Sequence, residues 1–247
     1  MIVYPLKSNM EQIKGKNILL VGATGSIGSE TARMLATSGA QLFLTGRNED
    51  KLAALAQKLN LPADRFIAAD ISNKEDIDRL KEVYFATMSR IDVLIIASGI
   101  GIIKPVDQLG EDEFLKTIMA NLYGPYLLVK AFLPAMKEEK KGLIINIPGV
   151  LGKVPMAGSA AYSASKYGLT GMMQSIREEL KRTEIRITNL YLGGVDSAFW
   201  DNIDLRVQRD KMIVAEEAAK TIWFLCQQPS SAVISEMVLQ PFNHQAI

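Results

Sequence analysis

Short apolar runs bounded by turn-forming residues recur along the chain: NILLVG, QLFLTG, RFIAA, DVLIIAS, GLIINI, IRITNLYL and EMVLQP. They carry little polar alternation, the pattern of strands covered on both faces. Between them lie stretches with helical periodicity, among them SETARMLATSG, NEDKLAALAQKLN and KEDIDRLKEVYFATM, several closing at Gly, Asn or a polar turn. Strand, helix, strand in regular succession implies right-handed crossovers, hence an α/β fold whose parallel sheet is covered by helices on both faces. Ligands in such sheets sit at the carboxyl ends of the strands, where the strand order reverses. Residues that carry chemistry are therefore expected just after strands.

Two longer helices are predicted, near 112–136 and 160–182. In the second, Leu169, Met172, Ile176 and Leu180 form one apolar stripe, while Ala161, Ala164 and Gly168 permit close approach on another face. A helix apolar on several sides needs more than its own sheet to cover it.

Composition narrows the class. The 247 residues are 48% hydrophobic, enough for one sizeable core and consistent with one domain over 1–247. Lys and Arg number 28 against 27 Asp and Glu, a formal charge of +1, which gives no general electrostatic reason to expect nucleic acid or an anionic membrane. A neutral small molecule fits better as a partner. Cys226 is the single cysteine and lies in the apolar run TIWFLCQQP, so no internal disulfide can form. A reducing cytoplasm is the expected compartment and a buried thiol the expected state. The N-terminal MIVYPLKSNMEQIKGKN lacks an apolar core followed by a small-residue cleavage site, and no segment approaches a membrane span. The run Lys137–Lys141 reads as a helix end and a hydrated turn.

Directly after the first strand comes GATGSIGSE, with Gly22, Gly25 and Gly28 spaced G-x-x-G-x-x-G. A strand precedes it, a helix opens behind it and a second strand starts near Gln41, the context of a dinucleotide fingerprint. Glycines bring the backbone close to a pyrophosphate, whose charge is favoured by the free N–H groups and dipole of the helix N-terminus. The second strand ends in Gly46 and Arg47, where an NAD site would place a carboxylate on the ribose. A guanidinium binds a 2′-phosphate instead, which favours NADP(H) over NAD(H), although Arg47 alone is also consistent with a surface cation. Asp70, after the third strand, reads equally as an acceptor for an adenine amino group or as an exposed turn aspartate.

Tyr162 and Lys166 lie four positions apart in YSASK and so share a helix face. An ammonium beside a phenol favours phenolate and is expected to lower the tyrosine pKa, so that Tyr162 can act as general acid or base near neutrality. In isolation the pair is equally a surface feature of an amphipathic helix.

Taken in order, the glycine loop, DVLIIASG, Asn121 in MANLYGPYLLVKAFLPAM, the Tyr162/Lys166 pair and GGVDSAFW resemble a short-chain dehydrogenase/reductase over nearly the whole chain. The resemblance implies a Rossmann-like domain with a mostly seven-stranded parallel sheet, and hydride transfer between NAD(P)H and a carbonyl or alcohol. It makes Tyr162 the proton donor or acceptor, Lys166 its activator and ribose clamp, and Asn121 the holder of a relay water where its helix is interrupted. It sets the dinucleotide against Gly22, Thr24, Gly25, Ser26, Ile27 and Gly28, then Arg47, Asp70 and Ile71. Further along it adds Ala97, Ser98 and Gly99, and finally Gly193, Val195 and Ser197. A substrate lid is implied over about 194–214, where Phe199 and Trp200 either wall an apolar pocket or pack the lid down. Pairing of the two long helices with those of a second subunit implies a homodimer or homotetramer.

Four positions depart from the family pattern. Ser26 stands where most short members carry a glycine; Ile96-Ala97-Ser98-Gly99 replaces Asn-Asn-Ala-Gly; and Leu192-Gly193 replaces Pro-Gly. Most consequential, the family's catalytic serine lies thirteen residues before the tyrosine, and that position is Gly149. Losing one donor to a developing oxyanion costs about 2.7–4 kcal/mol. Candidate substitutes are the Gly149 N–H, Ser98, Ser159 or a substrate hydroxyl, and serine at 149 is expected to raise turnover if the site lacks a donor. An NADP(H)-binding sensor or scaffold without turnover is the second reading. His244, the single histidine, is expected to be exposed or structural.

Overall fold

A computed structural model describes residues 10–203, 205–229 and 231–243; His244 lies outside them. The seven apolar runs form strands β1 (Asn17–Val21), β2 (Gln41–Gly46), β3 (Phe66–Ala68), β4 (Val93–Ile96), β5 (Lys141–Asn146), β6 (Glu184–Leu192) and β7 (Glu236–Leu239). They pair in parallel in the order β3-β2-β1-β4-β5-β6-β7, so the strand order reverses between β1 and β4.

Residues alternate between two cores, as strand geometry requires. Leu19 and Val21 of β1 face α3 (Lys74–Thr87), α5 (Gly124–Glu138) and α6 (Ala160–Leu180), where Tyr84, Phe132 and Met173 are buried. Ile18 and Leu20 face α1 (Ser26–Thr37), α2 (Glu49–Lys58) and α7 (Ala215–Leu225), where Leu35, Leu52 and Ile222 are buried. Both faces are thus dry, which is why the strands read as continuous apolar runs. Asn48 and Asn73 cap α2 and α3, accepting hydrogen bonds from Lys51 N and Asp76 N at 2.8 and 2.9 Å.

The helix predicted over 112–136 is interrupted. It consists of α4 (Glu111–Ile118), a π turn at Met119–Tyr123 and α5. Part of the small-residue face of α6 is covered within the chain: Ala161 is buried and Gly168 lies against Leu122 of the π turn. Phe114, Leu115, Met119, Tyr123 and Tyr126 keep an apolar surface in water, Leu115 at 58% exposure. Cys226 is buried as expected, and burial pushes its thiol up to about 12. No helix among the described residues is long and apolar enough to cross a membrane.

Candidate active site

The turn after β1 meets the turn after β4 at the reversal point. Gly22 has φ +80°, and a Cβ there would lie 2.8 Å from Ser98 N and 2.9 Å from the Ala97 carbonyl carbon. A Cβ on Gly28 would overlap the Gly22 carbonyl oxygen, so the first turn of α1 packs directly beneath the loop. Helix α1 starts after Gly25 with no side-chain cap and no acidic residue in its first turn. Its first N–H groups are therefore left for an anion or water.

Two cavities open along this line. One of about 290 Å³ is lined by Gly22, Thr24, Gly25, Arg47, Asp70 and Ile71. The other, of about 830 Å³, is lined by Ile27, Tyr162, Lys166, Gly193, Val195 and Ser197, and by Gly149. Ala97, Ser98 and Gly99 line both and join them. Among the residues expected at the site, Ser26, Gly28 and Asn121 line neither. Gly28 acts through packing, and Asn121 stands behind Gly99.

Asn121 explains the broken helix. Its Oδ1 accepts from Ile100 N at 2.8 Å, and its Nδ2 donates to Ile100 O at 2.9 Å and to Ser165 Oγ at 3.1 Å. The fully buried amide ties the turn after β4 to α6, and the π turn presents it there. Such π turns are frequent at functional sites.

Lys166 is buried, donates to Ile147 O at 3.1 Å, and sits 5.6 Å from the centre of the Tyr162 ring. The expected depression of the tyrosine pKa is not found. Burial pushes the Tyr162 phenol above its ordinary value and pulls Lys166 down to about 8, because a water-poor site disfavours both charged forms. Asp70 keeps a depressed carboxyl pKa: burial works against this, but the hydrogen bonds from Ser72 and the Arg47 charge outweigh it. Its Oδ1 accepts from Ser72 N at 2.9 Å and Ser72 Oγ at 2.6 Å.

Gly149 has φ +70° and ψ 170°, a region open essentially to glycine alone. The expectation that a serine here would simply restore a donor is therefore corrected: its backbone would be strained. Among the other donors considered, Ser159 lies outside both cavities and is occupied. Its Oγ donates to Met156 O at 2.6 Å and lies 2.6 Å from Ser163 Oγ. Ser98 is different, since its Oγ is buried, has no hydrogen-bond partner and lies where the two cavities join.

The lid packs down and also walls the cavity. Trp200 Nε1 donates to Val195 O at 2.9 Å, and Phe199 meets Tyr162 edge to face at 5.7 Å while resting against Gly101. Arg209 ties this segment to itself, pairing with Asp196 and Asp201 at 2.6 and 2.7 Å. The sequence carried no signal for Lys116, Met119 and Ala120 on the smaller cavity, since the face they occupy depends on the π turn. Nor did it single out Arg206 and Lys211 within the lid as wall residues of the larger one.

The family model described as short chain dehydrogenase matches residues 16–208, and the chain belongs to that family. An "uncharacterized oxidoreductase" of Staphylococcus epidermidis is 29% identical, with 94% of this chain and all of that protein aligned. A metagenomic short-chain oxidoreductase solved with NADP is 31% identical with a TM-score of 0.81, covering 95% of this chain and all of that one. An alcohol dehydrogenase of the archaeon Thermococcus sibiricus, complexed with 5-hydroxy-NADP, shares the fold at 24% identity and a TM-score of 0.85, with coverage of 95% and 100%. The protein is thus an oxidoreductase of the short-chain dehydrogenase family.

Proposed function

We propose that this protein moves a hydride between NADP(H) and a carbonyl or alcohol compound, with Tyr162 exchanging the proton and Lys166 assisting it. The observation that carries the reading is the convergence of Tyr162 and Lys166 in a cavity that joins the glycine-loop cleft through Ala97, Ser98 and Gly99. The residues present fit a dinucleotide: Gly22, Thr24 and Gly25 line an open cleft, the start of α1 is uncapped, and the buried Ser98 hydroxyl has no partner in the protein. When bound, NADP(H) supplies or accepts the hydride.

Tyr162 gives its phenolic proton to the carbonyl oxygen in reduction and takes one back in oxidation. Its raised pKa keeps it protonated at neutral pH, ready to donate. Lys166, with a pKa of about 8, remains largely an ammonium at pH 7 and opposes the cost of the phenolate left behind. Asn121 fixes the turn that carries Gly99 and so holds the floor of the site. The Gly149 backbone N–H and a hydroxyl carried by the substrate are the donors that remain for the substrate oxygen. Arg47, with Lys116 on the same cleft, favours a 2′-phosphate, and Asp70 lies beside it for the adenine. The exposed apolar residues of α4 and α5 support a homodimer or homotetramer.

The test is fluorescence titration with NADPH and NADH, followed by a ketone and aldehyde panel read at the nicotinamide absorbance, with Tyr162→Phe alongside. Tighter NADPH binding and carbonyl-dependent oxidation lost in Tyr162→Phe are expected. Oxidation that survives in Tyr162→Phe overturns the assignment. Binding without any oxidation favours the sensor reading, which the likeness to oxidoreductases does not support.

A further inference from the structure

The larger cavity is walled mainly by apolar side chains, but its charged residues are all of one sign. They are Lys166, Arg206 and Lys211, with no Asp or Glu. This contrasts with the whole chain, where the two signs nearly cancel.

The lid sorts its own cations. Arg209 is neutralised by Asp196 and Asp201 within the same segment. Arg206 and Lys211, three and two residues away, line the cavity and pair with no carboxylate among the described residues. Both remain exposed, so their charges are kept at little desolvation cost. Gln208 and Asn243 add amide groups to the same wall. Like charges left unpaired on one side of a largely apolar pocket raise the local concentration of anions and give an anionic group its natural partner.

Resting on the reading above, we propose that the substrate is an anionic carbonyl compound, a keto acid whose carboxylate is held by Arg206 and Lys211 while its carbonyl faces Tyr162. The expectation of a neutral small molecule came from net charge alone. The cavity replaces that average with a local field.

The experiment is calorimetric titration of the NADP⁺-saturated protein, and of the protein alone, with three acids and their methyl esters: pyruvate, 4-oxopentanoate and 4-acetylbenzoate. At least one acid is expected to bind about tenfold more tightly than its ester, and the preference to shrink with added salt. In the double variant Arg206→Gln/Lys211→Gln the acid should approach the ester while NADP⁺ affinity stays unchanged. Equal binding of acid and ester, absence of binding by every acid, or a preference that survives the double variant overturns the proposal. So does weaker NADP⁺ binding in that variant without loss of acid preference, which would assign the two cations to the cofactor phosphates. Failure of the hydride-transfer reading shows separately, as NADPH that no carbonyl compound consumes, since calorimetry reads anion binding without turnover.

Discussion

The two ends of the crevice are built from different materials. At the glycine-loop end the shape comes from backbone: β1, α1 and the turn after β4 approach until hydrogens are all that fit at Gly22 and Gly28. At the other end, shape and reactivity come from side chains on α6 and on the loops after β5 and β6. The first end should fail when an atom is added, the second when one functional atom is removed.

The sharpest removal is Tyr162→Phe. Deleting one oxygen should lower kcat/KM with any working carbonyl substrate by about 10²–10⁴ while NADPH affinity is retained, as steady-state kinetics and fluorescence titration would show. The sharpest addition is Gly28→Ala, whose methyl overlaps the Gly22 carbonyl. A stability loss of about 1–3 kcal/mol in urea unfolding is expected, with weakened NADPH binding. Intact binding in that variant would break the contrast between the two ends.

Gly149→Ser tests the substrate end by addition. Its φ of +70° should cost about 1–3 kcal/mol of stability, and turnover should stay level or fall. A clear rise would mean that the loop relaxes at little cost and that a hydroxyl was the missing element. Smaller again, Arg47→Gln should weaken NADPH about tenfold and leave NADH nearly unchanged, measured by paired titrations.

The smallest effect is a slope in pH. The native pKa of Lys166 is about 8 against 10.5 when unfolded, so across that interval the unfolded chain holds a proton the native one lacks. Stability then rises with pH from about 8. Tyr162 acts oppositely from its unfolded value of 10.0 upward, where the unfolded chain loses a proton that the native phenol keeps. The buried Cys226 thiol does the same from its unfolded value of 9.0, since its native pKa is about 12. Urea unfolding of the cofactor-free protein at stepped pH should show the rise between about 8 and 9 and a plateau above it, and Lys166→Met should lack the rise.

Legibility in the sequence divides along similar lines. All seven strands could be read, the inner ones because burial on both faces leaves unbroken apolar runs and the partly buried edge strands β3 and β7 as short apolar runs bounded by turns, and the glycine loop could be read because backbone crowding dictates residue type. The break between α4 and α5 was legible only through the family resemblance at Asn121 and not in the apolar pattern, since Asn121 bonds to Ile100, twenty-one residues away. The titration of Tyr162 differs from the expectation because its spacing to Lys166 reveals the pair while only the fold reveals how little water surrounds it. The conformation of Gly149 was equally hidden, as a glycine letter does not tell whether its φ is positive.

That conformation bears on what a change of residue alone could achieve. Glycine and serine side chains differ by one hydroxymethyl group, a small step in volume. In the folded loop after β5 the two are separated by a backbone rearrangement, because an L residue cannot comfortably take the angles that Gly149 holds. Placing a serine here would therefore require the loop to change with the residue.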